Sequence, residues 1–207
     1  MAEPSDPPPA TAADAYPFFY SIYMSFYDYI DIPVQAPTAG EIHRVISGGP
    51  AVTLRRATPE DAIAVADIWH LGWEDGHLGF VPQELTEART EDSFRTRAAG
   101  RVGDTTVAIV DGAVAGFVMV VDDEVEQVYV SALHRGTGVA AVLMREAERQ
   151  VRANGHTKAW LAVLPSNGRA RAFYERAGWV DEGPFDYAAA TAGAPIAVLC
   201  RRYRKLL

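Results

Sequence analysis

The sequence predicts a mixed α/β fold, one mixed sheet with helices on both faces. Three observations carry this. Short β-branched runs alternate with segments of helical periodicity from residue 52 onward. Asp111-Gly112 joins two apolar runs as a two-residue hairpin turn. Two passages, around residues 128–152 and 159–177, run from strand through a short loop into a helix.

Taken in order, residues 52–56 alternate as a strand. Thr58-Pro59-Glu60-Asp61 starts a helix, with Thr at the N-cap, Pro at the first helical position and an acid three residues after the cap. Ile63, Val65, Ala66, Ile68 and Trp69 continue its apolar face, and a second helix is expected over 87–98. Residues 105–110 and 114–121 are the arms of the Asp111-Gly112 hairpin. Asp122-Asp123 turns the chain into a third strand at 125–130. A helix over 138–152 sets Val139, Leu143, Ala147 and Val151 on one side. A strand at 159–163, a helix at 168–177 and two strands at 179–187 and 195–203 complete the series.

Residues 1–50 have another character. Pro and Ala dominate 1–15, which reads as a flexible tail. Eight of the 21 aromatics then crowd between Tyr16 and Tyr29, and Phe19, Ile22, Tyr23, Phe26, Tyr27 and Ile30 form a helical stripe. That much apolar surface is expected to pack on the domain or across a homodimer. Pro33, Pro37, Gly40 and Gly48-Gly49-Pro50 place a boundary there, giving an extension over 1–50 and a domain over 51–207.

Composition narrows the classes of function. The chain has 207 residues and a net charge of −8, so nucleic acid is a poor partner. Six acids and one base fall within residues 1–50, which leaves the domain nearly balanced. No run of 18 apolar residues is present, so no membrane helix is expected. Cys200 is the single cysteine, which excludes an internal disulfide and a cysteine-rich zinc site. With no clean secretory pattern at the start, a reducing, cytoplasmic setting is expected. His70 and His77 lie seven apart without a clear third ligand, so no metal site is expected.

The chemistry concentrates at Val128-Tyr129-Val130-Ser131-Ala132-Leu133-His134-Arg135-Gly136-Thr137-Gly138-Val139-Ala140. A helix that starts in a glycine-rich run offers unpaired amides and the positive end of its dipole to an anion such as a pyrophosphate. Gly136 and Gly138 let a ligand approach the backbone, and Arg135 adds a charged donor. An ordinary tight strand-to-helix connection would use the same residues. A second passage, Leu161-Ala162-Val163-Leu164-Pro165-Ser166-Asn167-Gly168, continues through Phe173-Tyr174 to Gly178-Trp179.

The pair of motifs resembles the GNAT superfamily of acetyl-CoA-dependent acetyltransferases over about residues 52–203. Arg135, Gly138 and Ala140 match its Arg/Gln-x-x-Gly-x-Gly/Ala signature, and Asn167, Phe173-Tyr174 and Gly178-Trp179 match its later one. Gly72-Trp73-Glu74-Asp75-Gly76-His77 with Phe80-Val81-Pro82 is similar to a branch of small bacterial-type N-acetyltransferases of unassigned substrate. Ser131, Ala132 and Leu133 stand where that pattern often has Pro, and nothing in it matches residues 1–50.

The resemblance implies a GNAT fold, acetyl-CoA as co-substrate and direct transfer of acetyl to a primary amine of a small molecule or peptide. It implies that Val128, Val130, Arg135, Gly136, Thr137, Gly138, Val139, Ala140 and Asn167 bind the co-substrate. Tyr174 is implied as the acid for the departing thiolate, although Ala170, Phe173, Tyr174 and Ala177 equally form a packing face, and Asn167 equally reads as a helix N-cap. Glu126 is the expected base and Glu124 its alternate, two residues apart on one strand face. Trp73 and His77, bordered by Trp69 and His70, are expected on the acceptor side, with Trp69 also fitting a core stripe. A CoA-binding regulatory module without turnover and a protein N-terminal or lysine acetyltransferase are the competing functions.

Overall fold

In the computed structural model the described residues are 51–207 and the backbone of 43–45. The expected tail over 1–15 and aromatic helix over 16–30 lie outside them. Eight strands form one sheet in the order β1-β2-β3-β4-β5-β6-β8-β7. They are β1 (His43–Val45), β2 (Val52–Arg56), β3 (Thr105–Val110), β4 (Ala113–Val121), β5 (Glu124–Val130), β6 (Lys158–Val163), β7 (Val180–Ala189) and β8 (Ile196–Leu206). β1 pairs with β2, so the sheet takes in three residues on the N-terminal side of the boundary expected near 50. The helices are α1 (Ala62–His77), α2 (Gln83–Ala88), α3 (Glu91–Gly100), α4 (Val139–Ala153) and α5 (Gly168–Arg176). No helix among the described residues is long and apolar enough to cross a membrane.

Strand alternation sorts side chains onto two faces. From β4, Val118 and Val120 join Val139, Leu143, Ala147 and Val151 of α4 in one core. Phe117 and Met119 point the other way, into the core built by Val65, Trp69, Phe94 and Ala98 of α1 and α3. Removing a fully buried side chain such as Leu143 from water stabilises the fold by about 1.5–3 kcal/mol.

Local signals resolve as follows. Asp111 (φ 49°) and Gly112 (φ 81°) both adopt the left-handed region that a type I′ hairpin requires. At the start of α1, Asp61 accepts from the Thr58 amide at 2.8 Å, and Arg55 grips it at 2.6 and 2.8 Å. The helix expected over 87–98 is instead two, α2 and α3, because Thr90 caps α3 by accepting from the Ser93 amide at 3.2 Å. That corner leaves Arg89 between the helices, buried.

β5 and β6 are parallel and pair only at Glu124↔Trp160. The Trp160 amide donates to the Asp123 carbonyl at 3.0 Å, and its indole to the Asp123 carboxylate at 2.9 Å. Beyond that point the two strands part. β5 keeps its ladder to β4 through Gly116↔Val130, while its other edge runs free from Glu126 to Val130.

Candidate active site

The free edge of β5 leads into a short turn over Ala132–His134 and then to α4. Gly136 (φ 78°) and Gly138 (φ 93°) hold conformations that L side chains rarely adopt, and the space where a Cβ would stand is open at both. The first helical bond of α4 runs from the Val142 amide to the Gly138 carbonyl at 3.1 Å. The amides of Val139, Ala140 and Ala141 therefore have no acceptor within the helix. Thr137 turns inward, its hydroxyl donating to the His134 carbonyl at 2.7 Å.

Charges assemble around this helix start. Asp75, near the end of α1, pairs with Arg135 at 3.1 Å and with Arg169 at 2.5 Å. The Arg169 guanidinium, followed by that of Arg135, holds the Asp75 carboxyl below its ordinary range. A cleft of about 220 Å³ opens beside the pair, lined by Asp75, Phe80, Asn167 and Arg169 among others. Asn167 caps α5, accepting from the Ala170 amide at 3.1 Å, while its amide nitrogen lies against Gly76.

Tyr174 is buried, with rings of Phe173, Trp179 and Tyr203 at 5.5, 6.3 and 5.9 Å. Its hydroxyl bonds to no described residue. Desolvation pushes that hydroxyl well above its ordinary pKa, so it stays protonated and keeps a proton to donate.

The two carboxyls at the base of the parting are in unlike settings. The β4–β5 ladder slips between Met119↔Gln127 and Val120↔Val125, which makes Glu126 the extra residue of a β-bulge. Arg101 takes it in a two-point grip at 3.1 and 2.5 Å and also holds Asp104 at 2.7 Å. Among the described residues no cation is bonded to Glu124. It accepts from the Tyr187 hydroxyl at 3.0 Å. Burial, reinforced by the charge of Glu126, pushes its pKa up to about 8.

The wall opposite is aromatic. Trp69 is fully buried between Phe94 (5.6 Å) and Phe117 (5.8 Å), the core position that its stripe allowed. Trp73 stacks on His77 at 5.2 Å. The His77 Nδ1 lies 3.0 Å from the Trp73 carbonyl, which can only accept. That nitrogen therefore carries the proton, which leaves Nε2 as an acceptor. Burial drops the His77 pKa to about 4, so the ring is neutral. Tyr129 passes beneath α1 at Gly72, where any Cβ would run into its ring. His70 joins the same cluster through Phe94, stacked on it at 5.1 Å, and pairs with Glu74 at 3.4 Å.

A model of the Acetyltransferase (GNAT) family matches residues 65–179, more than half of the chain. The chain belongs to the GNAT acetyltransferase family. Curated relatives include uncharacterized N-acetyltransferases of Mycobacterium tuberculosis (strain H37Rv) and Mycobacterium bovis, each 32% identical over 78 residues, 35% of this chain. The GNAT chain spans about half the length of these relatives, 50%. A GCN5-related N-acetyltransferase structure from Rhodopseudomonas palustris is 25% identical with a TM-score of 0.60, covering 80% of this chain and 99% of that one. Two further structures share the fold. PaiA N-acetyltransferase of Thermoplasma acidophilum, in complex with coenzyme A, has a TM-score of 0.53 at 16% identity, covering 75% and 99%. YncA of Salmonella typhimurium, with acetyl-CoA, has a TM-score of 0.56 at 18% identity, covering 75% and 94%.

Several GNAT-chain residues at this site carried no motif. Arg101 and Tyr187 reach the carboxyls from 25 and 63 residues away, and Asp75 reaches Arg169 across 94. Arg97 on α3 and Arg101 at its C-cap are four apart, and that spacing was the signal available.

Proposed function

We propose that this chain transfers an acetyl group from acetyl-CoA to a primary amine within one ternary complex. The parting of β5 and β6 carries the reading, because its free backbone edge leads directly into the positive-φ glycines of α4. When bound, acetyl-CoA supplies an activated thioester. The groups present fit it: open backbone at Gly136 and Gly138, free amides at Val139 and Ala140, and two arginines, Arg135 and Arg169, drawn together by Asp75. Val128 and Val130 offer unpaired strand backbone to an extended pantetheine arm, as an added strand would use it.

Glu124 takes the part of general base. An attacking neutral amine must shed a proton as the C–N bond forms, and a carboxylate with a pKa of about 8 is matched to that task. Glu126, neutralised by Arg101, positions and tunes its neighbour instead. Tyr174 donates to the departing thiolate, Asn167 caps α5 beside the cleft, and Trp73 with His77 walls the acceptor side.

The test is thiol release from acetyl-CoA with a panel of primary amines, peptide N-termini and lysine. Wild-type protein releases thiol only when an acceptor is present. Tyr174→Phe lowers turnover on the order of ten- to a hundredfold with the Kd for acetyl-CoA unchanged. Binding without release across the panel would make the chain a CoA-binding module and overturn the reading.

Asp75 gives a second expectation. It occupies both arginines through exposed ion pairs, so Asp75→Asn frees them for phosphate and tightens the Kd for coenzyme A by about two- to fivefold. Titration calorimetry reads this, and weaker binding in the variant would show that Asp75 orients the arginines rather than competing for them.

A further inference from the structure

Two guanidinium groups on the acceptor side have no counter-ion among the described residues. Arg97, one turn beyond Phe94 on α3, lies with its guanidinium carbon 4.1 Å from the Trp69 ring centroid and 5.8 Å from that of Phe94. It forms no hydrogen bond or ion pair with any described residue. Arg89, only 8% exposed, donates from Nη2 to the Ala190 carbonyl at 2.6 Å. Its Nε is buried without a partner. The carboxylate that could have served them, Glu126, is taken by Arg101, and so is Asp104.

Packing explains Arg97 only in part. The aromatic face holds a weakly hydrated guanidinium well, but it leaves the edge of the fork, with its N–H donors, unsatisfied. An unpaired charge in a desolvated place is costly, and such groups concentrate where a ligand completes them. A planar fork fits a carboxylate at two points. The charge of Glu126 acts on Arg89, Arg97 and Glu124 alike, so the two guanidinium groups and the Glu124 carboxyl share one neighbourhood. Within it, a carboxyl suits an amine and the unpaired guanidinium groups suit an anion.

We propose that the acceptor is an amino acid, its amine directed at Glu124 and its carboxylate held by Arg97, with Arg89 adding charge behind. This rests on the acetyltransferase reading for the reaction, but the binding it asserts can be measured without turnover. The probes are the L-amino acids and their carboxamides, which differ only in the anionic group. Calorimetry on the full chain saturated with coenzyme A should find at least one amino acid bound at least tenfold tighter than its carboxamide. Arg97→Gln should bring that ratio close to one, and Arg97→Lys, which keeps charge but not the fork, should leave it intermediate. A thermal melt of each variant separates loss of the anion contact from loss of the stack on Trp69. Thiol release is then measured with the same pairs, and kcat/KM should show the same preference. Equal binding of every amino acid and its carboxamide overturns the proposal, even where acetyl transfer succeeds. So does a preference that survives Arg97→Gln in a folded protein. Preferential binding of an amino acid with no thiol release upholds the anion site and overturns the transferase reading alone.

Discussion

Gly138→Glu is expected to abolish the thermal stabilisation that acetyl-CoA gives the wild-type chain. At a ligand concentration of 100 times Kd that stabilisation is roughly 2.7 kcal/mol, several degrees in Tm. Two effects combine against the variant. Gly138 sits at φ 93°, where an L side chain adds about 1–2 kcal/mol of strain. The open space at its Cβ position would then hold a carboxylate where phosphate oxygens are expected. A hundredfold weaker Kd reduces the stabilisation at the same concentration to about 0.4 kcal/mol. Gly138→Ala separates the two, since it brings strain without charge and should retain part of the shift. An unchanged shift in Gly138→Glu would remove this helix start from the co-substrate site.

Glu124→Gln is expected to lower kcat/KM on the order of a hundred- to ten-thousandfold near pH 8, the range for loss of a general base. Its pH profile is the sharper readout. In the wild type the carboxyl ionises at about 8, so log kcat/KM should climb with one extra unit of slope below that pH and lose it above. The variant should lack the break and follow only the acceptor amine. Stability moves the other way. A carboxyl whose pKa is raised on folding binds its proton more tightly in the native state, so it favours the fold below the unfolded value of about 4.3. That advantage is lost as pH rises toward about 8. Gln keeps an acceptor for the Tyr187 hydroxyl without the titration, so the variant's Tm should rise relative to wild type above pH 8. A break that persists in Glu124→Gln would return the base role to Glu126.

The parts of this fold legible in the sequence are those that local chemistry dictates. Asp111-Gly112 demanded a hairpin because few other pairs tolerate two positive φ values, and both angles are found. Gly136 and Gly138 marked the start of α4 for the same reason. Thr90 was missed as a helix cap because the periodic stretch around it reads as one helix, and a single hydroxyl divides it. The two glutamates show a deeper limit. Period-two alternation places Glu124 and Glu126 on one face, but it says nothing about which of them meets Arg101 and which meets Tyr187. Those partners come from the C-cap of α3 and from β7, and the bulge at Glu126 appears only as a slip against β4. Charge neutralisation between distant segments leaves no periodic trace, so the weighting of the two carboxyls had to come from three-dimensional placement.

The single pairing of Glu124 with Trp160 acts mechanically as a pivot. The sheet is two leaves, β1–β5 and β6–β8–β7, whose strands pair at one point, beside the backbone and indole bonds from Trp160 to Asp123. Displacement of one leaf against the other grows with distance from a hinge. Movement about that pairing is therefore expected to be larger near Val130 than at Glu124, which lies at the pairing itself. A lever of this kind is expected to let the cleft breathe while its carboxyl keeps its aim.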